Sequence, residues 1–420
     1  MDTHGASDES ERALAKSLRA LTNDAADAAA LAIATAALES LRGAIASGAS
    51  DGAFPGAAAV YCEALRLALR PELSALAAPA TACCANALTA SARGDGGLAR
   101  DFCAQGGAQA ALAHLREKRA VAVYVGAAKI LHMAAAAATD PTAVDDLVRG
   151  GLVEVLSTTL AWCARGNFDA RRERLATEVL CCCYAVAAAK RAATADADES
   201  GEEEEKEFLL SPDEPEHFVT LLGLALSEII TRQDTEKLAF ETKLHAVKLL
   251  MFAPSSYALW LGERGVAQHL VRVLELELRT SVVEHAQGYD ATLRLVPTLE
   301  ALLRVAKAGA AAKKAVKDSI FPPEADAVWQ ARVAKDRTAS AASKAARDAY
   351  DRDRIHPVDN PPYTVRNLLL QLMTSFEQHS KRFATELLYE LCDRQTEEFS
   401  LRCGFGNAIG YLRVNSLIPS

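Results

Sequence analysis

Three glycines in the run LRCGFGNAIGYL, at 404, 406 and 410, have the form of a phosphate cradle, a loop of bare backbone N–H groups facing an anion at a helix start. A second candidate is Glu63, Arg66 and Arg70, spaced i, i+3 and i+7 ahead of Pro71 and so expected on one helix face. Two guanidinium forks there suit carboxylates or the open carbonyls of a helix end. Asn86, in CCANAL, sets a lone amide inside an apolar helix, and Lys129 and Lys248 stand singly in apolar surroundings. Each has a plain structural alternative. Cations near a helix C-terminus stabilise its dipole by ~0.3–1 kcal/mol. An amide can bond to its own preceding turn, and a lysine can reach solvent along its alkyl stem.

Other chemistry finds little support. The ten cysteines include no C-x-x-C pair, and Cys181, Cys182 and Cys183 are consecutive, so a helix points them about 100° apart. They read as small buried residues of a reduced protein. His245 has no second histidine or carboxylate at metal-ligand spacing and reads as a structural residue. No arrangement indicates a serine or cysteine nucleophile. No metal, no cofactor and no covalent catalysis are expected. The net charge of -9 argues against a nucleic-acid partner, which needs a basic stripe. Residues 1–12 are polar and acidic, unlike a secretory signal. The most membrane-like run, 120–138, is interrupted by Lys129 and His132 and reads as a packed helix, so membrane insertion is not expected.

The elements that must position these residues are helices. Half of the residues are apolar but only 6% are aromatic, and alanine dominates the apolar share. Alanine favours helix and lets helices approach closely, while each one buries little area. Apolar positions 365, 368, 369, 372, 373 and 376 recur at three- and four-residue spacing, and no strand-length alternation competes. The stretches FCAQGGAQAALAHL, LVRGGLVEVLSTTL and LGERGVAQHLVRVL each end one helix, turn at glycine and start another. Gly107 and Gly151 lie 44 residues apart, within the period of about 40–47 residues of armadillo and HEAT units. The expected fold is all-α, an armadillo/HEAT-like helical-repeat superhelix (alpha-solenoid). Its expected blocks are N-terminal repeats over 1–194, an acidic loop over 195–216, central repeats over 217–323, a charged insertion over 324–361 and a C-terminal repeat over 362–420. Ser200, in the acidic loop, has the surroundings of an acid-directed phosphorylation site.

The glycines of LRCGFGNAIGYL follow a helical segment, ATELLYELCDRQTEEFSL, and precede no Walker lysine. A dinucleotide fingerprint needs a strand before its glycines. Gly404, Gly406, Asn407 and Gly410 therefore read as a structural repeat turn.

Residues 365–412 resemble the synembryn family (resistance to inhibitors of cholinesterase). Arg366, Asn367, Leu372, Met373 and Thr374 carry the likeness, followed by Lys381, Arg382, Glu386, Leu391 and Cys392 and then by Gly404–Ala408 with Gly410. HAVKLLMFAP, LVPTLEALLRVAK and KDSIFPPE follow the family's order upstream, and CEALRLALR and CCANAL look like its N-terminal part. The likeness is strong after 240 and patchy before.

The resemblance implies a chaperone and guanine-nucleotide exchange factor for G-protein α subunits (Gα). Such a factor holds the Gα C-terminal helix in a concave groove and stabilises the nucleotide-free state. This exchange is a population shift with no bond chemistry on the factor. Arg66 and Arg70 match arginines that the family uses on the groove, and Asn86 matches a groove asparagine. Lys129 and Lys248 would add charge. Two departures stand out: Ala185 and Lys248 occupy positions where the family often has asparagines, and synembryns usually continue beyond NSLIPS with an acidic, phosphorylatable segment and further helices that contact the Gα nucleotide domain. Without that tail, peptide capture would survive while exchange or chaperoning weakens. The expected partner is Gα, GDP-bound or nucleotide-free, met by a monomer in the cytoplasm and recruited with it to the cell cortex. The rival reading is an armadillo scaffold that binds an extended peptide without exchange activity.

Overall fold

Alanine-rich runs such as AAALAIATAALESLRGAIA contain no proline and no β-branched stretch, so helix is their low-energy backbone. The computed structural model describes residues 3–48, 54, 56–94, 96–117, 119–137, 141–165, 169–195, 228–231, 237–252, 255–283, 294–322 and 364–417. Among them the regular structure is helical and no strand occurs, so the all-α expectation holds. The acidic loop from 196 on, with Ser200, and the charged segment 324–361 lie outside the described residues. Two compact bodies divide the chain: residues 1–225 with 235–245, and residues 226–234 with 246–420.

The first body contains α1 (Thr3–Asn23), α2 (Ala28–Ala46), α3 (Ala57–Leu67), α4 (Ala77–Ser91), α5 (Gly97–Ala104), α6 (Gly107–Arg116), α7 (Val121–Ala137), α8 (Pro141–Arg149), α9 (Leu152–Ala164) and α10 (Ala170–Ala195). A 3₁₀ turn, Pro71–Leu76, leads into α4. Helices α2, α4, α7 and α10 pack each on the next in one layer, and α1, α3, α6 and α9 do so in a second. The short α5 and α8 open the units α5–α6–α7 and α8–α9–α10. That is the three-helix plan of armadillo-type repeats.

Glycine fixes the turns inside these units. Gly106 and Gly151 begin α6 and α9 in the left-handed region, at φ 78° and 80°, which a side chain would strain. The turn residue is thus Gly106, whereas the spacing had pointed to Gly107. Gly107 serves packing instead, because a Cβ there would meet the Phe102 ring at 2.3 Å. Gly126 lets α7 cross α4 closely; a Cβ would lie 2.7 Å from that of Thr81.

Helices α2 and Pro71–Ser91 are long and apolar enough to cross a membrane by length and composition. The most membrane-like run by sequence, 120–138, contains the shorter apolar helix α7. Here α4 lies between α2 and α7, and the buried face of α7 meets α4, α6 and α10.

Helix α11 (Lys237–Leu250) spans the boundary between the two bodies, its residues to His245 falling in the first. The second body continues with α12 (Ser255–Glu263), α13 (Val266–Leu278), α14 (Val296–Ala308), α15 (Ala310–Ile320), α16 (Val365–Leu372), α17 (Gln378–Leu391), α18 (Thr396–Cys403) and α19 (Phe405–Val414). Helix α14 packs against α12, α13, α15 and α17. Gly265, at φ 71°, opens α13 as Gly151 opens α9. A network of ion pairs ties α15 to the end of α17. Glu390 accepts from Lys313 at 2.7 Å and Arg394 at 2.8 Å, while Lys313 and Lys317 also reach Asp393.

Candidate partner-binding residues

The arginine pair does not share a helix face. α3 ends at Leu67, and Arg70 adopts an extended backbone (φ -68°, ψ 132°) ahead of Pro71. The proline ring disfavours helical geometry in the residue before it, so Arg70 leaves the axis that carries Glu63 and Arg66. Glu63 accepts a hydrogen bond from the Thr22 hydroxyl of α1 at 2.9 Å. Arg66 is exposed, and its Nη2 donates to the carbonyl of Gln105, the residue that ends α5. The dipole alternative thus takes a specific form, since Arg66 caps the neighbouring unit's helix. Arg116 on α6 does the same to the carbonyl of Gly150. Arg70 is exposed, with no hydrogen bond or ion pair to its side chain among the described residues.

Asn86 and Lys129 belong to the other layer, on the directly packed helices α4 and α7. Asn86 is half-buried between the buried Ala85 and Ala87. Its neighbours Thr81 and Thr89 bond back to the carbonyls of Ala77 and Ala85, at 2.7 and 2.6 Å. The Asn86 amide makes no such bond, nor any other side-chain hydrogen bond among the described residues. Lys129 is half-buried and likewise without an ion pair there. Lys248 has the same character on α11, in the second body. Ala185, expected at a groove position, is buried on α10, and the side chain exposed beside it is Tyr184.

Around residue 404, the single turn glycine is Gly404, at φ 86° and ψ 131°, a combination different from the left-handed turns of Gly106, Gly151 and Gly265. Gly406 and Gly410 lie within α19 with open space where a Cβ would stand. Asn407 donates from Nδ2 to the Cys403 carbonyl at 2.9 Å and so closes the end of α18.

The cysteines divide into two kinds. Burial pushes the thiols of Cys62 and Cys103 up to about 11 and those of Cys83, Cys163, Cys183 and Cys392 up to about 12. Cys181 departs from its buried neighbours Cys182 and Cys183, being half-buried. Its Sγ lies 3.4 Å from Nδ1 of His245 on α11. Sequence reasoning missed this pairing, because nothing local links residues 64 apart. Among the described residues, no group of three or more histidines, cysteines or carboxylates is placed to hold a metal ion.

Comparison with known proteins gives a partial likeness. Residues 349–419 match the family Ric8, guanine nucleotide exchange factor synembryn. Over 124 residues the chain is 27% identical to Chaperone Ric-8B of Mus musculus and, to the same extent, of Rattus norvegicus. That alignment covers 30% of this chain and 18% of each relative. A solved chain from "A conserved phosphorylation switch controls the interaction between cadherin and beta-catenin in vitro and in vivo" aligns with 99% of this chain and 92% of its own, at 15% identity and a TM-score of 0.35.

Proposed function

We propose that this chain binds G-protein α subunits and acts on them as a chaperone and guanine-nucleotide exchange factor. The observation that carries this reading is the synembryn match over 349–419, a segment whose described part forms α16 to α19. The chaperone likeness over 124 residues adds to it. The proposed action needs no covalent step. The protein must favour the nucleotide-free partner over the loaded one, and the ratio of those affinities sets how far the partner's affinity for nucleotide falls in the complex.

In this reading Arg66, Arg70, Asn86, Lys129 and Lys248 contact the C-terminal helix of Gα. The support is chemical. Arg70 supplies an uncommitted fork for a carboxylate, and Asn86 supplies an uncommitted amide for peptide backbone. Arg66 would have to share its guanidinium with Gln105. The partner meets this protein in the cytoplasm. Mixing the purified chain with Gα loaded with fluorescent GDP tests the proposal: accelerated release supports it, and an unchanged rate together with no protection of newly made Gα from aggregation removes it.

The open amide on a repeat stack also favours a second reading, a peptide-binding scaffold without exchange activity. Binding of a Gα C-terminal peptide with no change in GDP release would select it.

A further inference from the structure

None of the ten cysteines is in a disulfide, and among them Cys103 and Cys181 are the two that are not buried. Helix α10 meets α11 in a register marked by two side-chain contacts one turn apart. The hydroxyls of Thr177 and Thr242 lie 2.8 Å from each other. One turn on, Cys181 Sγ sits 3.4 Å from His245 Nδ1 and 3.9 Å from Nε2. Both members of this second pair are half-buried, so a small reagent has access from solvent.

A thiol beside an imidazole is chemically unlike a thiol in an apolar core. Transfer of its proton to the ring gives a thiolate–imidazolium pair, and the thiolate is the nucleophile. The other charged or titratable groups nearby can be assigned by helix. α10 itself carries Glu178 one turn before Cys181, and α7 carries His132, 4.0 Å from Glu178, with Lys129. α11 carries Glu241 and Lys243 before His245 and Lys248 one turn after it, and α9 carries Glu154, in its first turn, and the buried Cys163. On α8, Asp145 is engaged by Lys190 at 3.2 Å, farther along α10.

We propose that Cys181 is a modification site, a nucleophilic thiol activated by His245 towards small electrophiles and peroxides. With hydrogen peroxide, the thiol proton passes to His245 and sulfur attacks one peroxide oxygen. An S–O bond forms as the O–O bond breaks, and the imidazolium returns the proton to the departing hydroxide. The products are a sulfenic acid and water. Cys103 is the internal reference: it has similar exposure, no histidine, and a thiol raised by burial to about 11.

Alkylation of the full chain by iodoacetamide, read at each cysteine by mass spectrometry, tests this. The ratio of the Cys181 rate to the Cys103 rate is compared between native protein and protein unfolded in guanidinium at pH 6.5. Burial by itself can only shield a thiol, and an ordinary thiol of pKa about 8.5 is about 1% ionised at that pH. The native Cys181 rate is expected to exceed its unfolded rate by about tenfold, and His245→Gln to abolish the excess. Treatment with one equivalent of peroxide should then leave a dimedone adduct at Cys181 and not at Cys103. A native rate at or below the unfolded one, or equal dimedone labelling of the two cysteines, overturns the proposal. The wild-type comparison decides whether Cys181 is an activated thiol even where the variant fails to fold, and protonation of His245 below about pH 6 should suppress the dimedone adduct if the imidazole is the base.

Discussion

Arg66 closes the end of a helix that is not its own, donating from Nη2 to the carbonyl of Gln105. Arg116 repeats the contact on Gly150 one unit later. Each arginine rises from the last turn of one second-layer helix and satisfies the open carbonyl that precedes the turn glycine of the next. Such a charge-assisted bond, made by an exposed arginine to a helix end, ties one repeat unit to the next.

The two candidate arginines should therefore separate experimentally. Arg66→Glu is expected to lower stability by about 1 kcal/mol, because a carboxylate would face the α5 carbonyl end. Arg70→Glu should leave the unfolding midpoint unchanged and weaken capture of a Gα C-terminal peptide by about tenfold. Denaturant unfolding and peptide binding on the same samples check both. An unchanged peptide affinity in Arg70→Glu takes that residue out of the contact set.

Glycine substitutions should have opposite signs at two helix positions. Gly126→Ala drives a methyl to 2.7 Å from Thr81 Cβ, where α4 and α7 cross, and is expected to cost about 1–3 kcal/mol. Gly410→Ala meets nothing within 4 Å inside α19 and should stabilise by about 0.5–1 kcal/mol. Chemical denaturation reads both. A loss on Gly410→Ala would mean that this glycine serves something other than the helix.

His114 gives a pH dependence with a defined sign. It is fully buried, its Nε2 is 3.0 Å from the Leu65 carbonyl, and its Nδ1 has no hydrogen-bond partner. Burial holds its pKa below the ordinary histidine value, with Arg119 acting the same way against the Leu65 carbonyl and Glu117. The unfolded chain thus takes up the proton first as pH falls. Stability should be full above about pH 6.5 and decline below it, towards the lower folded value. Replacing His114 with Gln should remove that part of the slope in unfolding curves measured from pH 7.5 to 5.

Glu390 behaves in the complementary way. Burial alone would raise its pKa, but hydrogen bonds from Lys313 and Arg394 outweigh it and hold the carboxyl below the usual range. Its contribution is present above the unfolded value of about 4.3 and is lost as pH falls through the folded one. Glu390→Gln should cost about 2 kcal/mol at neutral pH, since it weakens two charge-assisted bonds, one from Lys313 across to α15 and one from Arg394 in the turn that follows α17. The midpoint of urea unfolding at pH 7 checks it.

The parts of this fold legible in the sequence are those set by local chemistry. Helical periodicity and the glycine turns at 151 and 265 follow from alanine content and from the left-handed backbone that glycine alone adopts freely. The GG pair at 106–107 was legible as a turn, but which glycine turns and which makes room for Phe102 depends on packing. Arg70 was placed on the α3 face by spacing, although Pro71 already carried the signal that the helix would stop short of it. The Cys181–His245 pair was not legible, because it depends on the register of two helices separated by a long segment. Nor could spacing show that Arg66 reaches across to Gln105 while Asn86 stays uncommitted.

Release of fluorescent GDP from a purified Gα subunit, followed with and without this chain, tests the central claim most directly. The account predicts acceleration that saturates with protein concentration and weakens when Arg70 becomes Glu. A release rate unchanged at saturating protein, with new Gα aggregating as fast as in its absence, would contradict it.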